Sequence, residues 1–347
     1  MKFYDKITNL DIENSSICNA NCPQCTRELY GNDHSWFLET YLNTDFFDRI
    51  PDDVYNGLHK ILFSGSMGDP CAAPNFIDVI KKIRSKTNAL IKISTNGGMK
   101  STVFWNQLAD ALGDKSEVIF AIDGLEDTNH IYRVNVNFNK VIENACAFIN
   151  SGGNATWKFI AFKHNQHQID LARKKSVEFG FKKFETIRSH RFATDAILGR
   201  QFFGSDGTLI EPPSDETFKH EVVFQPLIRV DEWLKKSEDT QIDCFAKFNK
   251  SLYIDSSGNL VPCCFLGSYS YAKKPLNIQD GWDKLWEEYK HFLNLYNNNW
   301  YDILDNEFFS KVEQSWDGRK YSEGRIATCA ANCGNFDNRL NNPKLSV

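Results

Sequence analysis

Between residues 8 and 190, short β-branched or aromatic runs alternate with longer stretches in which apolar residues recur three and four positions apart. A repeat that switches between a period of two and one of about 3.6 marks βα units, and a series of such units predicts a parallel sheet covered by helices. Strands are predicted at 9–13 (NLDIE), 60–65 (KILFSG), 90–95 (LIKIST), 118–123 (VIFAID), 156–162 (TWKFIAF) and 182–188 (KKFETIR). Helices are predicted at 75–86, 101–113, 137–152 and 168–180, the last two closing on glycines. Cys146 falls on the third of these, where a buried small hydrophobe is its simplest role.

Several strand ends break into polar or glycine-rich text: SGSMGDP after the second, TNGG after the third, DGLEDTNHIYR after the fourth. In parallel α/β folds ligands bind at that carboxyl edge. From about 192 to 240 the rhythm is lost to GSDGTLIEPPSDET and a charged stretch, which reads as a bridge. A different module follows. Residues 244–264 (CFAKFNKSLYIDSSGNLVPCC) predict a hairpin about the turn SSG, then a tryptophan-rich helical stretch and a loop ending in CAANC. The expected organisation is 1–191, 192–240 and 241–347.

Composition narrows the function classes. A hydrophobic content of 41% with 24% charged residues is that of a globular chain with a sizeable core. The net charge of −5 disfavours nucleic acid as the main partner, because clamping a phosphate backbone needs a basic face. Residues 1–17 contain acids and no apolar core of a signal peptide, and no run of 18 apolar residues is present, so the expected location is the cytoplasm, with no membrane partner.

In that reducing compartment the ten cysteines read as metal ligands or catalytic groups rather than disulfides. They cluster at 18/22/25, 244/263/264 and 329/333, and Cys71 and Cys146 stand alone. Cys18, Cys22 and Cys25 form a CxxxCxxC run just after the first strand. A four-iron cluster takes one thiolate per iron, so three leave one iron exposed. A zinc site short of one ligand, or three unrelated thiols, are the alternatives the residues leave open.

The spacing and its place after the first strand resemble the radical S-adenosylmethionine (radical SAM) superfamily. The resemblance implies a partial (β/α)6 barrel of TIM-like type, a [4Fe-4S] cluster on Cys18, Cys22 and Cys25, and S-adenosylmethionine (SAM) chelating the open iron. Gln24 stands where an aromatic residue is common in that family. GSMGDP resembles the family's glycine-rich turn, which assigns Gly65, Gly68 and Asp69 to the methionyl ammonium, with Asp in place of the usual Glu. By the same resemblance Thr95 and Asn96 in STNGG, Asp123 near the ribose, Arg133 at the methionyl carboxylate and Phe162 at the adenine are cofactor-binding candidates. Lys163, Asn165 and His167 follow as candidates to face substrate. A plain βα turn and a solvated arginine are the bland alternatives for GSMGDP and Arg133.

Downstream, Cys244, thirteen residues, Gly258, four residues and Cys263 resemble the opening CX9-15GX4C of SPASM and twitch auxiliary-cluster domains, with Cys329 and Cys333 closing the set. Four thiolates would complete a second [4Fe-4S] cluster, and the low cysteine count favours the one-cluster twitch arrangement with Cys264 spare. A four-thiolate zinc knuckle is the structural alternative. The whole implies an oxidoreductase that cleaves SAM to a 5'-deoxyadenosyl radical, abstracts hydrogen from a substrate and passes the remaining electron to the auxiliary cluster. An electron donor such as flavodoxin or ferredoxin is implied as well. With 17 residues before Cys18, no fused leader-binding domain is expected, so the substrate is a small molecule or a peptide recognised without one. A peptide maturase or epimerase with a separate recognition partner is the second reading, and a non-catalytic zinc-stapled binding protein the third. No acid–base catalyst is assigned.

Overall fold

The computed structural model describes residues 6–28, 35, 37–189, 191–192, 201–214, 238, 240–271, 281–318 and 320–334. Its frame is a sheet of β1 (Asn9–Ile12), β2 (Lys60–Phe63), β3 (Leu90–Thr95), β4 (Ser116–Ala121), β5 (Ala155–Ala161) and β6 (Lys183–Arg188), each parallel to the next. The helices α1 (Phe76–Lys86), α2 (Thr102–Leu112), α3 (Phe138–Asn150) and α4 (Ile169–Glu178) follow β2, β3, β4 and β5. This is the predicted α/β architecture, a partial TIM-like barrel followed by a small cysteine-bearing C-terminal module.

Burial alternates residue by residue in β1, β3 and β4. In β3, Ile91, Ile93 and Thr95 are buried while Leu90, Lys92 and Ser94 are only half-buried. Side chains of opposite parity point to opposite faces of a strand. The apolar set packs under the helices with Val79, Ile80 and Ile83 of α1 and Trp105 and Leu108 of α2, while the polar set lines the barrel bore. Each fully buried aliphatic or aromatic side chain contributes about 1.5–3 kcal/mol. The indole N–H groups of Trp105 and Trp157 donate to the carbonyls of Met99 (3.1 Å) and Ile122 (2.9 Å), so these large side chains enter the core without stranding a donor.

The sheet does not stop at β1. Strand β7 (Ser251–Ile254), from the predicted hairpin, pairs in parallel with β1, Asn9 opposite Ser251 and Ile12 opposite Ile254, and β8 (Leu260–Val261) returns antiparallel to it. An open barrel leaves the first strand with an unpaired edge, and β7 satisfies it. The hairpin turns at Gly258, whose φ of +87° suits glycine, and a Cβ there would lie 2.8 Å from the Tyr296 ring.

The C-terminal segment differs from expectation. An unpredicted helix, α5 (Cys264–Tyr271), precedes the tryptophan-rich stretch, which opens with the expected helix α6 (Gly281–Tyr289); beyond it, in place of the expected loop, the chain forms a helical turn at Trp300–Asp305, α7 (Glu307–Gln314) and α8 (Ala327–Cys333). Asn299 and Asn306 cap the turn and α7 by accepting from the backbone N–H groups of Asp302 and Phe308. Cys329 and Cys333 therefore stand one helical turn apart rather than in a loop. The predicted bridge at 192–240 lies outside the described residues except for 192, 201–214, 238 and 240.

Candidate functional site

The first thiol group is built by the loop that leaves β1. Glu13, fully buried, accepts from the backbone N–H groups of Met67 and Gly68 (3.1 Å) and from the Tyr253 hydroxyl, tying the strand end to the glycine-rich turn and to β7. Burial pushes its carboxyl up to about 7, against the pull of those donors. Arg27 donates to the carbonyls of Ser16 and Met67 (2.8 Å) and pairs with Glu39 at 2.6 Å, its side chain 3% exposed. A charge held that far from water closes the cysteine loop onto the next strand end. Gly68 lies so close to the loop that a Cβ there would meet the Ser15 carbonyl at 2.1 Å.

The predicted site residues converge on this loop. Asn96 Nδ2 lies 3.7 Å from Cys18 Sγ and donates to Asn19 Oδ1 at 2.9 Å. Arg133 donates through Nε to Asp123 at 2.6 Å and reaches Cys22 Sγ at 3.7 Å. Burial raises the Asp123 carboxyl and the guanidinium pulls it back; burial also works against the Arg133 cation, and attraction to Asp123 leads the effects that hold it charged. Burial pushes the Cys22 thiol up to about 11 with Arg133 opposing, and pushes Cys18 up further. Thiols in that state are stored neutral, and a metal centre that takes them as thiolates releases their protons.

Asp69 is placed differently from a ligand-facing carboxylate. It accepts from the N–H of Cys71 (2.9 Å), the Thr95 hydroxyl (2.9 Å) and the N–H of Asn96 (2.7 Å), and so binds the second strand end to the third. Gly65 and Gly68 hold that turn, and Cys71 is buried inside it. Phe162 is fully buried with Tyr132 on one side (ring centroids 4.3 Å apart) and His164 stacked at 5.4 Å. Asn165 accepts from the N–H of Phe162 and donates to the Asp123 carbonyl, which fixes the end of β5. Lys163 pairs with Glu211 on the surface at 2.9 Å, and His167 is exposed. Gln24 accepts from the hydroxyl of Ser189, just beyond β6, at 2.9 Å.

The second group needs no reach across the barrel. Cys244, Cys263, Cys329 and Cys333 all line one small cavity, with Pro262 and Leu266 among its apolar walls. The N–H of Asp243 donates to the Cys333 carbonyl at 2.9 Å, bringing the two distant segments together. Cys244 and Cys333 share a hydrogen bond that pulls the first thiol down and pushes the second up, and burial raises Cys263. Cys264 does not line the cavity. It is half-buried, and burial, then the nearby Asp11 and Glu13 carboxylates of the barrel, push its thiol up.

Glu13 and Arg27 escape sequence reasoning because their partners lie up to 240 residues away and neither sits in a local motif.

Comparison with known proteins agrees with this geometry. Residues 244–334 match the SPASM family, an iron–sulfur cluster-binding domain. The tungsten-containing aldehyde ferredoxin oxidoreductase cofactor-modifying protein of Pyrococcus furiosus is 28% identical over 123 residues, which is 35% of this chain and 32% of that protein. Among solved structures, anSMEcpe with bound AdoMet superposes with a TM-score of 0.52 at 12% identity over 94% of this chain and 89% of its own. SuiB of Streptococcus suis bound to its precursor peptide SuiA gives 0.52 at 15% identity, over 78% of this chain and 61% of that one. The chain thus spans about a third of the curated relative and less than two thirds of SuiB.

It carries an iron–sulfur cluster-binding domain that closes a partial βα barrel. That domain is of the SPASM type, and the barrel shares the fold of anSMEcpe.

Proposed function

We propose that the chain is a radical SAM enzyme in which Cys18, Cys22 and Cys25 hold a [4Fe-4S] cluster and Cys244, Cys263, Cys329 and Cys333 hold a second. The observation that carries this reading is the convergence of Asn96 and Arg133 on the thiol loop at 3.7 Å, at the carboxyl ends of the third and fourth strands, in a chain whose C-terminal module gathers four further thiols round one cavity. The donor set fits: a four-iron cluster takes each thiolate on its own iron, so three thiolates leave one iron open at the first site and the four that line one cavity complete the second. A cluster held by Cys18, Cys22 and Cys25 would, with SAM bound, supply the electron that cleaves the sulfonium to methionine and a 5'-deoxyadenosyl radical.

The chain's own part is positional. Arg133, cationic and anchored by Asp123, offers its remaining N–H groups to a carboxylate, and Asn96 is anchored by its bonds to Asn19 and Gly98. Asp69 acts through Thr95 and Asn96, holding the third strand end in place rather than presenting itself fully to the methionyl ammonium. A second cluster held by Cys244, Cys263, Cys329 and Cys333 would supply an acceptor for the electron left on the substrate, which suits net oxidation. Under this reading the enzyme is an oxidoreductase of the one-cluster twitch kind, served by flavodoxin or ferredoxin, and Cys264 stays outside the cluster. SuiB and anSMEcpe are seen with peptides, which favours a peptide substrate among the two classes considered.

Anaerobically reconstituted wild type incubated with SAM and dithionite is expected to form 5'-deoxyadenosine, and the Cys18, Cys22 and Cys25 to Ala triple variant none. Equal formation in both would place the chemistry elsewhere.

A further inference from the structure

The bore itself carries charge. Within the strands, Asp11, Lys60, Lys92, Glu117, Lys158, Lys183 and Glu185 fall on the inward parity, four lysines against three carboxylates. Lys92 pairs with Glu117 at 2.8 Å, Lys183 pairs with Glu185, and Lys60 and Asp11 attract one another. Lys158 is left over. Among the described residues it makes no hydrogen bond or ion pair, although it is half-buried in the middle of β5, opposite Ala121 on one side and Glu185 on the other.

Its neighbours explain why no internal partner serves. Glu185, directly across, is engaged by Lys183, while Asp123, two residues beyond Ala121 on the same face, is taken by Arg133 and by the N–H of Ile160 at 2.6 Å. Burial is the largest effect lowering its ammonium; the Glu185 and Asp123 carboxylates attract it without bonding to it, and the Arg133 and Lys92 cations oppose them. A cation half-removed from water with no bonded counter-charge is costly, and an anion arriving beside it relieves that cost. Lys158 also lies below Asp123 and Arg133, on the inward side of the cofactor site proposed above.

We propose that Lys158 is the anchor for a carboxylate of the substrate, so that the molecule entering the barrel, whether small or peptide, presents an anionic group to β5. The inference rests on the radical SAM reading. A carboxylate at this height has two sources, the substrate and the methionyl end of SAM, and the test separates them.

Anaerobically reconstituted wild type, Lys158→Met and Lys158→Arg are titrated calorimetrically, first with SAM alone, then with N-acetylglycine or the uncharged N-acetylglycinamide on the SAM-saturated protein. The expected result is a preference of at least tenfold for the carboxylate over the amide in wild type, lost in Lys158→Met and kept in Lys158→Arg, with SAM affinity unchanged within twofold. Weaker SAM binding in Lys158→Met with no carboxylate preference in any form assigns the lysine to the cofactor and overturns the proposal. An absent preference with SAM binding intact throughout overturns it too. A wild type that does not bind SAM overturns the functional reading, and the anchor with it.

Discussion

Glu13→Gln tests how the barrel, the glycine-rich turn and the C-terminal hairpin are tied together. In the wild type one buried carboxyl serves Met67, Gly68 and Tyr253, and its midpoint stands at about 7 against an ordinary 4.5, burial being the main cause. A carboxyl raised by folding prefers the neutral form, so its contribution is complete below the unfolded value and is lost as pH rises through the folded one. Between pH 5 and pH 8 linkage gives a loss of roughly 2.5 kcal/mol from this group alone. Glutamine copies the protonated acid: its carbonyl accepts from the two N–H groups and its amide donates to the tyrosine oxygen, with no titration. Urea unfolding of cluster-free wild type and variant at the two pH values is the assay. The stability gap is expected to move by about 2.5 kcal/mol in favour of the variant on going to pH 8. Asp11, itself pushed up to about 6, titrates in both proteins and cancels. A gap constant within about 0.5 kcal/mol would refute the reasoning, because Glu13 would then not be a desolvated acid.

Further outcomes follow from the same contacts. Arg133→Met leaves Asp123 buried and uncompensated, and should cost about 3–5 kcal/mol in urea unfolding, much of it recovered by adding Asp123→Asn; an uncoupled pair of effects would contradict the ionic reading. Gly68→Ala forces the turn away from Ser15, so thermal unfolding should show a clear loss and SAM affinity should fall more than for an alanine at Gly57, where an added Cβ meets only the Ile7 carbonyl at 3.7 Å. Cys264→Ser should leave the iron content of the C-terminal site unchanged while Cys329→Ala lowers it, since only the latter lines the cavity; equal losses would put Cys264 among the ligands.

Much of the barrel was legible in the chain. LIKIST and TWKFIAF declare their inward and outward faces by alternation, and the polar strand ends mark the carboxyl edge where the thiol loop, Asn96 and Arg133 do meet. Buried parallel strands usually read as continuous apolar runs. Here the alternation survived because the bore is polar, and Lys158 inside an apolar strand was a signal of that bore. What stayed hidden depends on distant pairing. The edge that β7 fills, and the bonds from Glu13 to Tyr253 and from Arg27 to Met67, join segments with no local pattern in common. The short helix Ala327–Cys333 was read as loop text because seven residues carry too few turns for a periodicity to emerge, and its stability comes from packing. Asp69 sits where the turn requires, and its carboxylate also serves Cys71, Thr95 and Asn96, a tie between strand ends that the motif alone does not declare.

The most direct test of the two-cluster account is the iron and sulfide content of anaerobically reconstituted protein, measured for the wild type, the Cys18/Cys22/Cys25 to Ala variant and the Cys244/Cys263/Cys329/Cys333 to Ala variant. The account predicts about eight irons in the wild type and about four in each variant. Zinc in place of iron at either site, or an iron content that neither set of substitutions lowers, would contradict it.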